Sequence, residues 1–176
     1  MNDTILETER LLLRYQRALP GKGSGQDLDF LIRLWTDAEI TKYVGGPRDK
    51  NKLINSFNEI AADPKKEEYD LWYVVLKGTD ELIGMAGLMP KEIENESFME
   101  VNYFIDREHW GNAYATEIAK GIISHYRNEH AIKEFVAIID KDNIPSIKVA
   151  TKIGMKYWKT VLRSQGEKDI YRGSYE

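Results

Sequence analysis

A chain of 176 residues is one ordinary domain with room for a sizeable core, and 42% hydrophobic with 31% charged residues is a globular composition, not a disordered one. Zero cysteine excludes disulfides, thiolate metal sites and a cysteine nucleophile, and a net charge of −4 argues against nucleic acid as the main partner, because phosphate binding draws on clustered Lys and Arg. No apolar run approaches the roughly 20 residues of a membrane span, and Met1-Asn2-Asp3-Thr4 lacks the basic start and apolar core of a secretory signal. The expectation is a cytoplasmic protein with no membrane partner.

Ile5 to Arg14 reads as the first strand, its alternation blurred by Leu11-Leu12-Leu13 into a continuous apolar run. Pro20-Gly21-Lys22-Gly23-Ser24-Gly25 lacks the Gly-x-x-x-x-Gly-Lys-Ser/Thr spacing of a phosphate loop and reads as a surface connection. Asp27 is placed to cap a helix through Trp35, with Leu28, Leu31, Ile32 and Trp35 on one face. A short helix from Asp37 to Tyr43 ends at Gly45-Gly46, and Pro47 introduces a third with Leu53, Ile54, Phe57 and Ile60 inward. Leu71–Leu76 and Glu81–Leu88 form a hairpin whose Gly84 and Gly87 mark a bulge or a close backbone approach. Glu92 to Ser97 reads as a polar turn into the strand Met99–Ile105.

Ile105 to Glu117 is the organising stretch: a strand runs through a Gly-containing turn, Trp110-Gly111-Asn112-Ala113-Tyr114-Ala115, into a helix with Ala115, Ile118, Ala119, Ile122 and Tyr126 on one face. Such a turn leaves the first helical N–H groups uncovered at the positive end of the helix dipole, which favours an anion, although strand, turn and helix is also ordinary α/β packing. The strand Glu134–Ile139 follows. Asp142-Asn143-Ile144-Pro145-Ser146 then opens a further helix with Asn143 as N-cap and Gly154 at its end. Tyr157–Leu162 and Asp169–Gly173 close the chain as a hairpin. The architecture expected is mixed α+β, a mostly antiparallel central sheet flanked by helices, in one domain over residues 1–176.

The chain resembles the GNAT N-acetyltransferases, and within them the RimJ/RimL-like branch. Trp110-Gly111-Asn112-Ala113-Tyr114-Ala115 is similar to the family's (Arg/Gln)-x-x-Gly-x-(Gly/Ala) loop, with Trp110 in the Arg/Gln position and Ala113 in that of the first Gly, so that a methyl group points near the phosphate path. Thr8–Arg14, Asp27–Leu31, Thr36–Ile40 with Tyr43–Gly46, and Asn143-Ile144-Pro145-Ser146 with Ile153-Gly154-Met155 agree in order and spacing, so the resemblance covers nearly the whole chain.

The resemblance implies a GNAT-like acyl-CoA N-acyltransferase fold and acetyl-CoA as cosubstrate. It implies cofactor binding by Ile105, Trp110, Gly111, Asn112, Ala113, Tyr114, Ala115 and Asn143, and acceptor contacts from Trp35 and Tyr43, which read equally as core aromatics. Glu100 matches the Glu of the family's Glu-(Ile/Val)-Gly-Tyr strand, with Asn102 in place of Gly; it is the candidate base, or a structural carboxylate paired with Lys or Arg. Ser146 is a candidate proton donor to the leaving thiolate, a cofactor contact or a helix-cap residue, and the tyrosine some relatives carry four residues later is Ala150. Glu117 reads as a complement to the helix dipole or a partner of a neighbour, and His109, next to Trp110, as a solvated loop residue or one that faces the cofactor. His125 and His130, five apart, fall on different helix faces and make no metal site. With no activated nucleophile in view, transfer within a ternary complex is expected, to a protein N-terminal amine of the ribosomal-protein type. The alternatives are a polyamine, an aminoglycoside or another small amine, and a non-catalytic CoA-binding module. A homodimer stays open.

Overall fold

The computed structural model describes residues 3–17, 25–66, 68–164 and 166–175, so most of the Pro20–Gly25 segment lies outside the described residues. Among these, eight strands make one sheet in the order β1-β2-β3-β4-β5-β6-β8-β7: β1 (Thr4–Glu7), β2 (Leu11–Arg14), β3 (Leu71–Leu76), β4 (Glu81–Ile93), β5 (Glu96–Ile105), β6 (Glu134–Asp140), β7 (Lys156–Arg163) and β8 (Gly166–Ser174). Every neighbouring pair is antiparallel except β5 and β6, which run parallel. Five helices connect them: α1 (Gln26–Thr36), α2 (Ala38–Thr41), α3 (Lys50–Ala62), α4 (Tyr114–His130) and α5 (Ile144–Lys152).

The sheet separates two cores. On one face, Ile118, Ala119 and Ile122 of α4 are wholly buried against Ile83, Leu88 and Val101, with Ala150 and Ile153 of α5 and its cap beside them. On the other face, Leu28, Leu31 and Leu34 of α1 and Phe57 of α3 pack on Tyr73, Leu82 and Met85. Alternation sends successive β5 residues to opposite faces: Met99, Val101 and Tyr103 join the α4 core, while Phe104 joins the α1 core.

The single strand expected over Ile5 to Arg14 is two strands joined by a turn at Thr8. Thr8 N–H donates to the Leu11 carbonyl (2.9 Å), and Leu11 N–H returns to the Thr8 hydroxyl (3.1 Å). A carboxylate from the far end of the sequence holds the turn: Glu117 Oε1 accepts from the Thr8 hydroxyl (2.6 Å) and Arg10 N–H (2.8 Å). Asp27 is not the cap of α1, which starts after Gly25 with no side-chain cap bond. It makes a bidentate pair with Arg14 at 2.8 Å on both arms, each side chain at most 5% exposed, and so clamps α1 to β2. Removing one partner of such a pair costs about 3–5 kcal/mol.

The polar stretch Glu92–Ser97 is mostly strand. β4 continues to the buried Ile93 because Glu94 and Asn95, at φ 50 and 69, form a two-residue turn that closes the Ile93–Glu96 pair. The register of β3 on β4 shifts between Val74 and Val75, next to Gly84, as the glycine pattern foretold. At Gly87 the backbone approach is closer still: the carbonyl oxygen of Asp70 occupies the space where a Cβ would stand.

Candidate active site

The strand-to-helix turn is built from backbone. Beyond Ile105, Asp106 N–H donates to the Ile83 carbonyl (2.8 Å), and a 3-10 turn at Arg107–His109 carries the chain outward. Trp110 folds back so that its indole N–H donates to the Ile105 carbonyl (2.7 Å), while the Asn112 side-chain amide donates to the carbonyls of His109 (3.1 Å) and Trp110 (3.3 Å). Gly111 and Ala113 both take left-handed backbone, φ 82 and 62. Glycine does so freely; an L-residue such as Ala113 pays about 1–2 kcal/mol. Ala113 caps α4 with no side-chain bond, and the first turn closes from Glu117 N–H to the Ala113 carbonyl (3.0 Å). Tyr114, Ala115 and Thr116 therefore have N–H groups with no acceptor one turn back.

Glu117 would oppose an anion there, but its carboxylate is neutralised. Thr8, the Arg10 amide and the Arg10 guanidinium (Nε, 2.6 Å) hold it and lower its pKa against the effect of burial. Arg10 also donates to the Asn112 carbonyl (3.1 Å) and lies 4.6 Å over the Tyr114 ring, so the ion pair with Glu117 braces the turn while its two charges balance. Sequence reasoning missed Arg10 because a contact across 102 residues leaves no local pattern. Orphan N–H groups and the helix dipole, with the opposing Glu117 charge balanced, make a turn that fits the diphosphate of coenzyme A.

Next to the turn the sheet opens. β5 and β6 pair only at Met99 with Phe135 and Glu100 with Val136, although β5 runs on to Ile105 and β6 to Asp140. The Ile93–Glu96 closure and the Asp106-to-Ile83 bond set even-numbered β5 amides toward β4. The backbone amides of Tyr103 and Ile105 thus face the gap between β5 and β6. Glu100 stands where the strands part, 8% exposed. Burial raises its pKa above the usual carboxylate range; Lys91 (Nζ at 3.7 Å), the Asn102 side chain and the Ile138 N–H oppose that rise without cancelling it. By alternation Glu100 shares the α1–α3 face with Phe98 and Phe104, opposite α4.

Asn143 caps α5, its Oδ1 accepting from Ser146 N–H at 3.3 Å, with Pro145 in the first turn. The Ser146 carbonyl accepts from the Tyr103 hydroxyl (3.1 Å), and burial pushes that phenol up to about 12.

A cavity of about 700 Å³ lies on the Glu100 face between α1, α3 and the start of β3. Leu31, Leu53, Leu71, Tyr73 and Met85 supply apolar walls, with Trp35 among the aromatic residues and Asp49, Glu59 and Asp63 among the polar ones. Trp35 meets Phe104 of β5 with ring centres 4.7 Å apart. Tyr43 is not brought to the cavity: its carbonyl accepts from Lys168 Nζ (3.3 Å), which also holds Asp140 (2.6 Å) at the end of β6. His109 is not solvated as expected; its side chain is 15% exposed, with Nε2 3.4 Å from Glu81 and Nδ1 buried. His125 and His130 approach to 6.0 Å between ring centres despite their five-residue offset, and among the described residues no group of three or more His, Asp or Glu could hold a metal.

Comparison with known proteins supplies the family and the fold. Residues 23–156 match the model of the acetyltransferase (GNAT) domain family. The chain is 36% identical over 143 residues to the protein YkkB of Bacillus subtilis, covering 81% of this chain and 83% of that one. Its fold superposes on an acetyltransferase from Agrobacterium tumefaciens with a TM-score of 0.75 at 24% identity, over 95% of this chain and 92% of the other. RimL, a ribosomal-protein α-N-acetyltransferase solved with coenzyme A, gives a TM-score of 0.75 at 14% identity over 96% of both chains. With the family's model spanning most of its length, the chain belongs to the GNAT acetyltransferases, enzymes that transfer the acetyl group of acetyl-CoA to an amine nitrogen.

Proposed function

We propose that this enzyme acetylates the α-amine of a polypeptide N-terminus in a ternary complex, with Glu100 as the base. The observation that carries the reading is Glu100 itself, a buried carboxylate of raised pKa at the point where β5 and β6 part. Acetyl-CoA supplies a thioester-activated acyl group. The amides of Gly111 to Ala115, with Arg10 behind them, hold its diphosphate; Trp110 fixes the turn, and the open amides at Tyr103 and Ile105 receive the pantetheine arm, with Asn143 and Ser146 alongside. An amine must be neutral to attack, and a base helps most when its pKa approaches the working pH. An α-amine, with a pKa near 8, needs one such carboxylate, whereas a lysine amine near 10.4 asks for far more. RimL, of the same fold, acts on an α-amine, and a cytoplasmic setting supplies both substrates.

A second reading, a small-molecule amine, is favoured by the cavity, whose volume of about 700 Å³ lies inside the usual range for small-ligand sites. Thiol release measured over a panel of N-terminal peptides, lysine peptides, polyamines and aminoglycosides separates the two. The proposal expects peptides with free α-amines to turn over and their Nα-blocked forms to be inert; turnover confined to small amines overturns it.

A further inference from the structure

The two partners of the reaction are kept on opposite faces of the sheet. The anion-binding turn opens α4, which packs on the face that carries Val101 and Tyr103, while Glu100 and the cavity lie on the other. If Glu100 is the base and the turn holds the diphosphate, as proposed above, the thioester lies in the gap between β5 and β6. Its carbonyl is then reached from the Glu100 face, and its sulfur stays on the α4 and α5 face.

On that second face Tyr103 supplies a hydroxyl group. The residue sits on β5 three positions past Glu100, at the first amide that faces the gap, and its ring is lodged in the α4 core. Its hydroxyl reaches the first turn of α5, where the Ser146 carbonyl, itself fixed by the Asn143 cap, accepts its hydrogen at 3.1 Å. Ala150, one turn further along α5, is wholly buried and brings no polar group.

We propose that Tyr103 is the hydrogen-bond donor to the sulfur of coenzyme A as the acetyl group leaves it. The amine nitrogen forms its bond to the carbonyl carbon, Glu100 takes the proton the nitrogen gives up, and the carbon–sulfur pair passes to sulfur. Rotation about the phenol C–O bond turns the Tyr103 hydrogen from the Ser146 carbonyl to that sulfur. The phenol gives a hydrogen bond and keeps its proton, since a group raised to about 12 stays protonated beside a thiol near 8.5. Coenzyme A departs as the thiolate and takes its proton from solvent, as Glu100 returns its own.

The test is a titration of the thiol of coenzyme A bound to the whole protein, read by the ultraviolet absorbance of the thiolate. A hydrogen bond to an ionised group is worth about one to two pKa units. The bound thiol is expected to titrate below free coenzyme A by about that much, and to return toward the free value in Tyr103→Phe. Desulfo-coenzyme A should bind wild type and variant equally, which reports that the variant is folded. A fluorinated tyrosine placed at 103, a stronger donor of unchanged shape, should lower the thiol further. A wild-type thiol that titrates as the free one overturns the proposal while leaving the diphosphate site intact. So does a shift abolished by Ser146→Ala but not by Tyr103→Phe. If neither coenzyme A nor its desulfo form binds, the underlying site assignment fails as well.

Discussion

The two faces of the sheet solve different problems with different materials. On the α4 side, the groups offered to a ligand are mostly backbone: amides of Gly111 to Ala115 and the open amides of Tyr103 and Ile105, held by bonds such as Trp110 Nε1 to the Ile105 carbonyl. On the α1–α3 side they are side chains drawn from α1, α3 and the strands, with one carboxylate where the strands part. A backbone site depends on chain conformation, so φ angles decide its quality; a side-chain site depends on residue identity, so substitutions retune it.

The sharpest way to break this division is Glu100→Gln. Loss of a general base lowers kcat/KM by about 10²–10⁴-fold and removes the acid limb of the pH profile, which wild type shows above the ordinary range for a glutamate; affinity for coenzyme A stays the same. Stability moves the other way. Because the folded pKa of Glu100 is raised above its unfolded value, its stabilising effect is complete below about 4.5 and is lost as pH rises through the folded pKa. Above the folded pKa the ionised group therefore destabilises the fold relative to its neutral form, and the variant should melt higher than wild type at alkaline pH but not at pH 4. A variant that keeps full activity, or that melts lower at alkaline pH, contradicts the assignment.

Trp35→Ala comes next in size. Losing its wall of the cavity should raise the amine KM about tenfold, equivalent to about 1.4 kcal/mol of apolar contact, and leave the dissociation constant of coenzyme A unchanged in calorimetry. Equal losses for both ligands would mean that the cavity is not a separate acceptor site.

The smallest effects are expected in the turn, and they should have opposite signs. Nothing lies within 4 Å of a Cβ placed on Gly111, so Gly111→Ala costs only the left-handed backbone penalty, about 1 kcal/mol and a few degrees of melting temperature. Ala113→Gly relieves the same strain and should stabilise the fold and tighten coenzyme A binding a few-fold. If both substitutions change stability in the same direction, φ is not what governs the turn.

The same division separates what the sequence made legible from what it did not. The turn, the cap at Asn143 and the hairpins are local, and their residue types disclosed them. Two misreadings share one cause: Ile5 to Arg14 passed for one strand and Asp27 for a cap because their partners, Glu117 and Arg14, act across the fold. Trp35 and Tyr43 looked equivalent from helical spacing, and only packing set Trp35 on the cavity and turned the Tyr43 carbonyl to Lys168. Arg10 and Tyr103 carried no signal of their own, since one acts through the chain across 102 residues and the other through a neighbouring helix.

Gly87 gives the cavity on the α1–α3 face a fixed dimension. With the Asp70 carbonyl seated in the space of its missing side chain, the segment leading into β3 rests directly on β4, and Asp70, Leu71, Trp72 and Tyr73 line the cavity from that resting place. One hydrogen atom thus acts as a depth gauge: a methyl group there would lift the whole rim, and the cavity would change shape without any residue that lines it having been altered.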